Sequence, residues 1–99
     1  MFVSITTADT SGTPEDEGPI VGEEMDSWLR ELDGYRGLVL LARPGVTLGL
    51  AFWDSREAAE RHSSVRAEFR ERMLGIAGAR IERVDGYDVA FRRVDGLAG

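Results

Sequence analysis

The sequence predicts an α+β fold of the ferredoxin-like kind, in which a four-stranded antiparallel sheet carries two helices on one face, in the order βαββαβ. Three observations carry this reading. Two stretches with apolar residues at helical spacing separate extended, β-rich stretches. Pro44-Gly45 joins two adjacent apolar runs as a hairpin. Short connections with right-handed crossovers then leave the split βαβ as the compact arrangement for that order. The 99 residues, 42% of them apolar, suffice for one small core. A single domain is expected over residues 1–94, with a loop at 8–18 and a tail at 95–99.

Met1 to Thr7 is rich in β-branched residues and reads as the first strand. Asp9 to Gly18 holds four acids with Gly and Pro and reads as a loop. From Pro19, residues Ile20, Val21, Met25, Trp28, Leu29 and Leu32 share one helical face, and Asp33-Gly34 ends the helix with Gly34 as its left-handed cap. Tyr35 to Arg43 and Val46 to Trp53 form the hairpin. Ser55 is the N-cap of a second helix with the stripe Ala58, His62, Val65, Phe69, Met73 and Ile76, closed by Gly75 and Gly78. Arg80 to Val84 and Tyr87 to Val94 are extended, with a turn or bulge at Asp85-Gly86.

The hairpin strands do not alternate between apolar and polar. Leu38 to Leu41 is continuous, and Leu48, Leu50 and Phe52 alternate with Gly49 and Ala51. A strand that is apolar on both sides needs cover on both faces. Two helices cover only one, so a symmetric dimer, sheet against sheet, is expected to cover the other.

Composition excludes several function classes. Without cysteine there is no disulfide scaffold and no thiolate chemistry. A net charge of -6 argues against a broad basic face for nucleic acid or anionic membranes. No run approaches the roughly 18 apolar residues of a membrane span, and Met1 to Thr7 lacks the basic segment of a secretory leader, so a cytoplasmic protein is expected. RNA-recognition domains share the element order, but their third strand needs a basic residue, a glycine and two aromatics. Here Val46, Thr47, Leu48 and Leu50 stand at those places. There is no glycine-rich phosphate loop and no nucleophile elbow. All 12 basic residues are Arg, scattered among carboxylates, and Asn and Gln are absent.

Gly34-Tyr35-Arg36-Gly37 leading into Leu38 to Leu41, and Trp53-Asp54-Ser55-Arg56-Glu57-Ala58-Ala59 with His62 after it, resemble the dimeric α/β-barrel superfamily, in particular its antibiotic biosynthesis monooxygenase-like branch. The resemblance spans about two thirds of the chain when the outer strands are included. It implies a dimeric α+β barrel and a site between sheet and helices in each protomer, with Trp53 and His62 at its wall. It further implies oxygenation of a small aromatic or hydrophobic compound with no bound metal or other cofactor, the protein orienting an ionisable substrate. Haem-degrading members complete a triad with an Asn on the first strand. This strand offers Ser4, Thr6 and Thr7 instead, which argues against haem degradation.

The candidate catalytic residues are therefore His62, as proton acceptor or hydrogen-bond donor, and Trp53, as a stacking wall. Trp28, Phe69, Met25 and Met73 are the candidate apolar lining, and Ser4 and Thr6 the polar groups of the first strand. Each has a plainer role open to it, since rings and methionines fill cores and a single histidine on an apolar stripe is commonly structural. One His without Cys leaves no evident metal site, and Glu60, Glu68 and Glu71 read as solvated helix charges beside Arg56, Arg61, Arg70 and Arg72. A non-catalytic dimeric ligand-binding or interaction protein of the same fold is the competing expectation. An open cavity of roughly 300 Å³ or more beside His62 would favour a small-molecule site.

Overall fold

Val46 to Trp53 returns along Tyr35 to Arg43 because Gly45, at φ 85°, supplies the left-handed residue that a tight reversal after Pro44 needs. The computed structural model describes residues 1–12, 18–76 and 78–96, apart from the side chains of 18–20, 74 and 76. Its elements are β1 (Phe2–Asp9), α1 (Gly18–Leu29), β2 (Tyr35–Arg43), β3 (Val46–Trp53), α2 (Arg56–Arg61), α3 (Ser63–Ile76) and β4 (Arg80–Asp88). The sheet order is β2-β3-β1-β4 with antiparallel neighbours throughout, which is the ferredoxin-like arrangement expected. The hairpin strands have the predicted bounds.

Four expectations need correction. The first strand continues through Ala8 and Asp9, because as a central strand it is paired on both sides as far as Val46 and Arg80, so the loop starts later than residue 8. Of that loop, residues 13–17 lie outside the described residues, as do the side chain of Ile20 and that of Ile76. The first helix ends at Leu29, and residues up to Gly34 turn by bonds such as Leu32 N–H to Leu29 O, 2.9 Å. The last strand runs unbroken through Asp85-Gly86, and the irregularity falls between Thr7 and Ala8, whose partners Arg83 and Ile81 leave Glu82 as the extra residue. Gly86 is there for a different reason than a turn: a Cβ on it would run into the Phe2 ring. Beyond Asp88 the strand ends instead of reaching Val94. Val89 N–H bonds Met1 O at 2.9 Å, and Phe91 and Val94 are exposed.

The fourth correction concerns the second helix, which is broken at His62. Ser55 caps it as expected, its hydroxyl accepting from Ala58 N–H at 3.1 Å. At His62 the backbone leaves the helical region (φ -113°, ψ 19°) and a new helix starts at Ser63, the first of two adjacent serines, a pair at which helices commonly kink. A stripe extrapolated across that break is rotated. Val65 is half exposed where the stripe put it inside, and Arg66 is buried in its place.

Strand register assigns the two sheet faces. Phe2, Ser4, Thr6 and Ala8 of β1 share a face with Trp53, Ala51, Gly49 and Thr47 of β3. That face meets the helices: Phe2 and Trp53 cluster with Leu29, Ala58 and Ala59, and Gly22 of α1 sits against Leu40. Gly34, at φ 88°, brings the chain over α2 so closely that a Cβ there would lie 2.5 Å from Ala58 Cβ. The packed cluster occupies one end of the sheet. Further along, the floor beneath the helices is made of Ser4, Thr6, Ala51 and Gly49, all small. The opposite face presents Val3, Ile5, Val39, Leu41, Val46, Leu48, Leu50, Phe52 and Tyr87, and among the described residues no helix packs on it; Leu41 and Tyr87 are about half exposed, Val3 is buried and the others are half-buried. Asp9, Arg80, Arg83 and Asp85 lie towards β4 on this face and form the pairs Asp9–Arg80 and Arg83–Asp85, while Arg43 stands at the β2 edge.

Candidate functional site

Trp53 ends β3 on the helix-facing side and is completely buried. Asp54 N–H bonds Gly34 O at 2.8 Å, and Ser55 then starts α2, so the chain turns away directly over the indole. The Tyr35 ring meets the indole edge-on at 5.6 Å. On its other side Arg66 lays its guanidinium over the ring, 4.6 Å from the centroid. Arg66 is only 9% exposed, and its Nη2 donates to Ala59 O. Its backbone N–H bonds His62 O at 2.9 Å, which sets the two side chains one turn apart on the same face.

Among the described residues three buried side-chain atoms have no hydrogen-bond partner: Trp53 Nε1 and Arg66 Nε, which belong to the stacked pair, and His62 Nε2, one turn before Arg66. Buried polar atoms are nearly always paired, and each exception calls for an explanation. Burial, and then the like charge of Arg70, push the Arg66 guanidinium down to about 10, and burial also lowers Arg70. Among the described residues no carboxylate lies within 4.0 Å of Arg66. Sequence reading passed over Arg66 and placed Arg70 among solvated charges; the sequence signal that could have found them was Ser63-Ser64, which marks the helix break.

The other candidates are divided between two places. Ser4 is buried and Thr6 half-buried on the floor of small side chains. Trp28 stacks on Phe69 at 4.1 Å and 8°, tying α1 to α3. Together with Met73, Glu23, Glu24, Ser27 and Glu31 these rings line an open groove of about 460 Å³ between the two helices. The groove thus brings together Trp28, Phe69 and Met73, but not His62, Trp53, Ser4, Thr6 or Met25, which is half-buried elsewhere on α1. Among the described residues no three His, Cys, Asp or Glu side chains come together to hold a metal ion, and no helix is long and apolar enough to cross a membrane.

Tyr35 acts as a brace beside the site. Its hydroxyl donates to Asp26 Oδ1 at 2.5 Å, and Arg30 bonds the other oxygen at 2.8 Å. The Tyr35 bond, followed by Arg30, holds Asp26 below its ordinary value against partial burial. Burial, followed by the Asp26 bond and charge, pushes Tyr35 well above its own. The carboxylate form of Asp26 is favoured by folding, so its contribution is complete above the unfolded value near 4 and is lost as pH falls through the lower folded value. The neutral phenol is favoured too, so its contribution is complete below about pH 10 and is lost as pH rises further. Tyr35→Phe is expected to cost about 1–2 kcal/mol at neutral pH, flatten the loss of stability at both extremes, and raise the Asp26 pKa, as urea titrations across pH and carboxyl NMR would show.

Comparison with models of known protein families gives no match, and neither does comparison with curated proteins. Solved structures do match. A "putative antibiotic biosynthesis monooxygenase" from Deinococcus radiodurans superposes with a TM-score of 0.64 over 99% of this chain and 100% of that one, at 16% identity. A second protein of the same name from Nitrosomonas europaea gives 0.58 over 92% of this chain and 100% of that chain, at 15% identity. A monooxygenase from the gene ActVA-Orf6 of Streptomyces coelicolor, in complex with the ligand nanaomycin D, gives 0.57 over 98% and 92%, at 16% identity. The chain thus has the ferredoxin-like fold of the antibiotic biosynthesis monooxygenase structures along nearly its whole length.

Proposed function

We propose that the protein is a monooxygenase-like enzyme that acts as a homodimer on a small aromatic compound held between its sheet and helices, without a bound metal. The observation that carries this reading is that three buried polar atoms, Trp53 Nε1, His62 Nε2 and Arg66 Nε, have no partner among the described residues, with Trp53 on the same sheet face as the small side chains Ala51, Ser4 and Thr6. Such atoms suit a ligand with polar atoms on a flat ring. In this reading His62 accepts a proton from the substrate or donates a hydrogen bond to it, Trp53 supplies the flat wall, and Ser4 and Thr6 supply polar contacts from β1. Trp28, Phe69, Met25 and Met73 form its apolar surroundings on the helices. The fold shared with a monooxygenase that binds nanaomycin D adds support. The dimer would join the uncovered apolar sheet faces of two copies into a barrel.

The chemistry asks little of the protein. An anthrone-type substrate that loses a proton becomes an electron-rich carbanion that can give electrons to oxygen directly. Its CH2 becomes C=O with one oxygen atom of O2, and the other oxygen leaves as water with the two hydrogens. Holding the ring and taking the proton at His62 are the steps required of the chain. Oxygen uptake with anthrone is expected to consume one O2 per quinone formed, above the uncatalysed rate, and His62→Gln is expected to lower that rate at least roughly tenfold. If uptake stays at the uncatalysed rate, the enzyme reading is wrong. The alternative, a non-catalytic dimeric ligand-binding or interaction protein, draws support from the complete burial of Trp53, which leaves its ring no free face.

A further inference from the structure

An arginine held in a folded interior needs either an anion beside it or a strong reason to tolerate its desolvation. Arg66 has hydrogen-bonded Nη2 to Ala59 O and stacked on Trp53, yet its Nε is buried with no partner and no carboxylate of the described residues is within 4.0 Å. Arg70, half-buried one turn further along α3, adds a second positive charge to the same face. His62, one turn earlier, adds a ring nitrogen that is buried and unpaired, and Trp53 Nε1 is a donor in the same condition. Arg66 and Arg70 are cations and Trp53 Nε1 is a donor, His62 Nε2 is a further unpaired polar atom one turn away, and the Arg66 guanidinium lies over an aromatic plane.

We infer that this cluster is an oxyanion site, and that the ligand of the proposed interior pocket carries a carboxylate or phenolate oxygen on an aromatic ring, received by Arg66 Nε with Trp53 Nε1 and His62 Nε2 beside it. The inference rests on the reading that a ligand occupies the space between sheet and helices, but it requires no oxygen chemistry. Arg66 is a binding residue here, and Arg70 contributes charge without contact. The bound anion supplies the counter-charge that the protein itself does not place against Arg66. The net charge of -6 makes this local reversal of sign more selective, because the rest of the surface repels anions.

The test is binding under nitrogen, by calorimetry, with two pairs of probes at pH 8: 2-naphthoate against 2-naphthylmethanol, and 4-nitrophenolate against nitrobenzene. The anion of at least one pair is expected to bind roughly tenfold or more tightly than its neutral partner, the discrimination of one charge-assisted hydrogen bond. The pair that shows it distinguishes a carboxylate from a phenolate ligand. Arg66→Met is expected to abolish that preference while leaving the melting temperature level or higher, since it removes a desolvated cation; Arg66→Lys is expected to retain part of the preference. Equal binding of anion and neutral partner in both pairs, or no binding of any probe, overturns the proposal on the unaltered protein alone. So does an Arg66→Met protein that keeps the preference. An anion preference without oxygen uptake would leave the oxyanion site standing and remove the monooxygenase reading.

Discussion

Trp53→Ala is expected to cost about 3–5 kcal/mol, the range for losing a large aromatic side chain from a core. That is a large share of the roughly 5–15 kcal/mol available to a domain of this size. Trp53 is the one fully buried large side chain among the described residues, and it joins every layer at its end of the sheet. Phe2 stands beside it on β1, the Tyr35 ring meets its edge at 5.6 Å, Ala58 and Ala59 cover it from α2, and Arg66 covers it from α3. Urea unfolding followed by far-UV circular dichroism would show the midpoint falling by half or more, or no folded baseline. A loss below about 1 kcal/mol would mean that the site lies outside the core. Trp53→Phe is a sharper companion. The indole Nε1 has no partner, so the phenyl ring removes an unsatisfied donor along with some volume and should cost much less than alanine.

The second large effect is expected on the opposite face. Leu50 lies at the middle of the uncovered sheet, paired with Ile5 on one side and Val39 on the other. Leu50→Glu directs a charge away from the helices, so the protomer should keep its circular dichroism spectrum, while its melting temperature falls only by the stability that association supplied. In a dimer closed through that face, the same carboxylates would be buried without partners, which costs several kcal/mol. Dissociation should strengthen at least a hundredfold, equivalent to about 2.7 kcal/mol. Gel filtration with light scattering would read the shift in mass. Unchanged association in a folded Leu50→Glu protein would place the interface elsewhere.

What the sequence made legible follows from what local chemistry can determine. The hairpin bounds were readable because Pro44-Gly45 demands a reversal and the flanking runs have nothing else to do. Gly34 was readable because a helix end followed by a strand needs a left-handed residue, and it adopts φ 88°. The two-sided greasiness of Leu38 to Leu41 and Val46 to Phe52 pointed to a sheet face without cover, and the register shows that face. Gly86 misled because glycine has two uses, a turn or a close approach, and only the Phe2 ring across the sheet decides between them. Arg66 was missed for a related reason. A hydrophobic stripe is extrapolated on the assumption of one continuous helix, and the break at His62 turns the face enough to exchange Val65 for Arg66. The sequence therefore drew attention to a histidine and rings, and not to the buried Arg66 that lies over Trp53.

The claim on which the dimer and the barrel around the interior site depend is that one copy of this chain leaves one face of its sheet uncovered and closes it with another. Sedimentation equilibrium of the unaltered protein at micromolar concentration tests it most directly. A mass twice the 10.9 kDa of the chain is the predicted result. A single species of 10.9 kDa, with the apolar face of β2 and β3 in water, would contradict it.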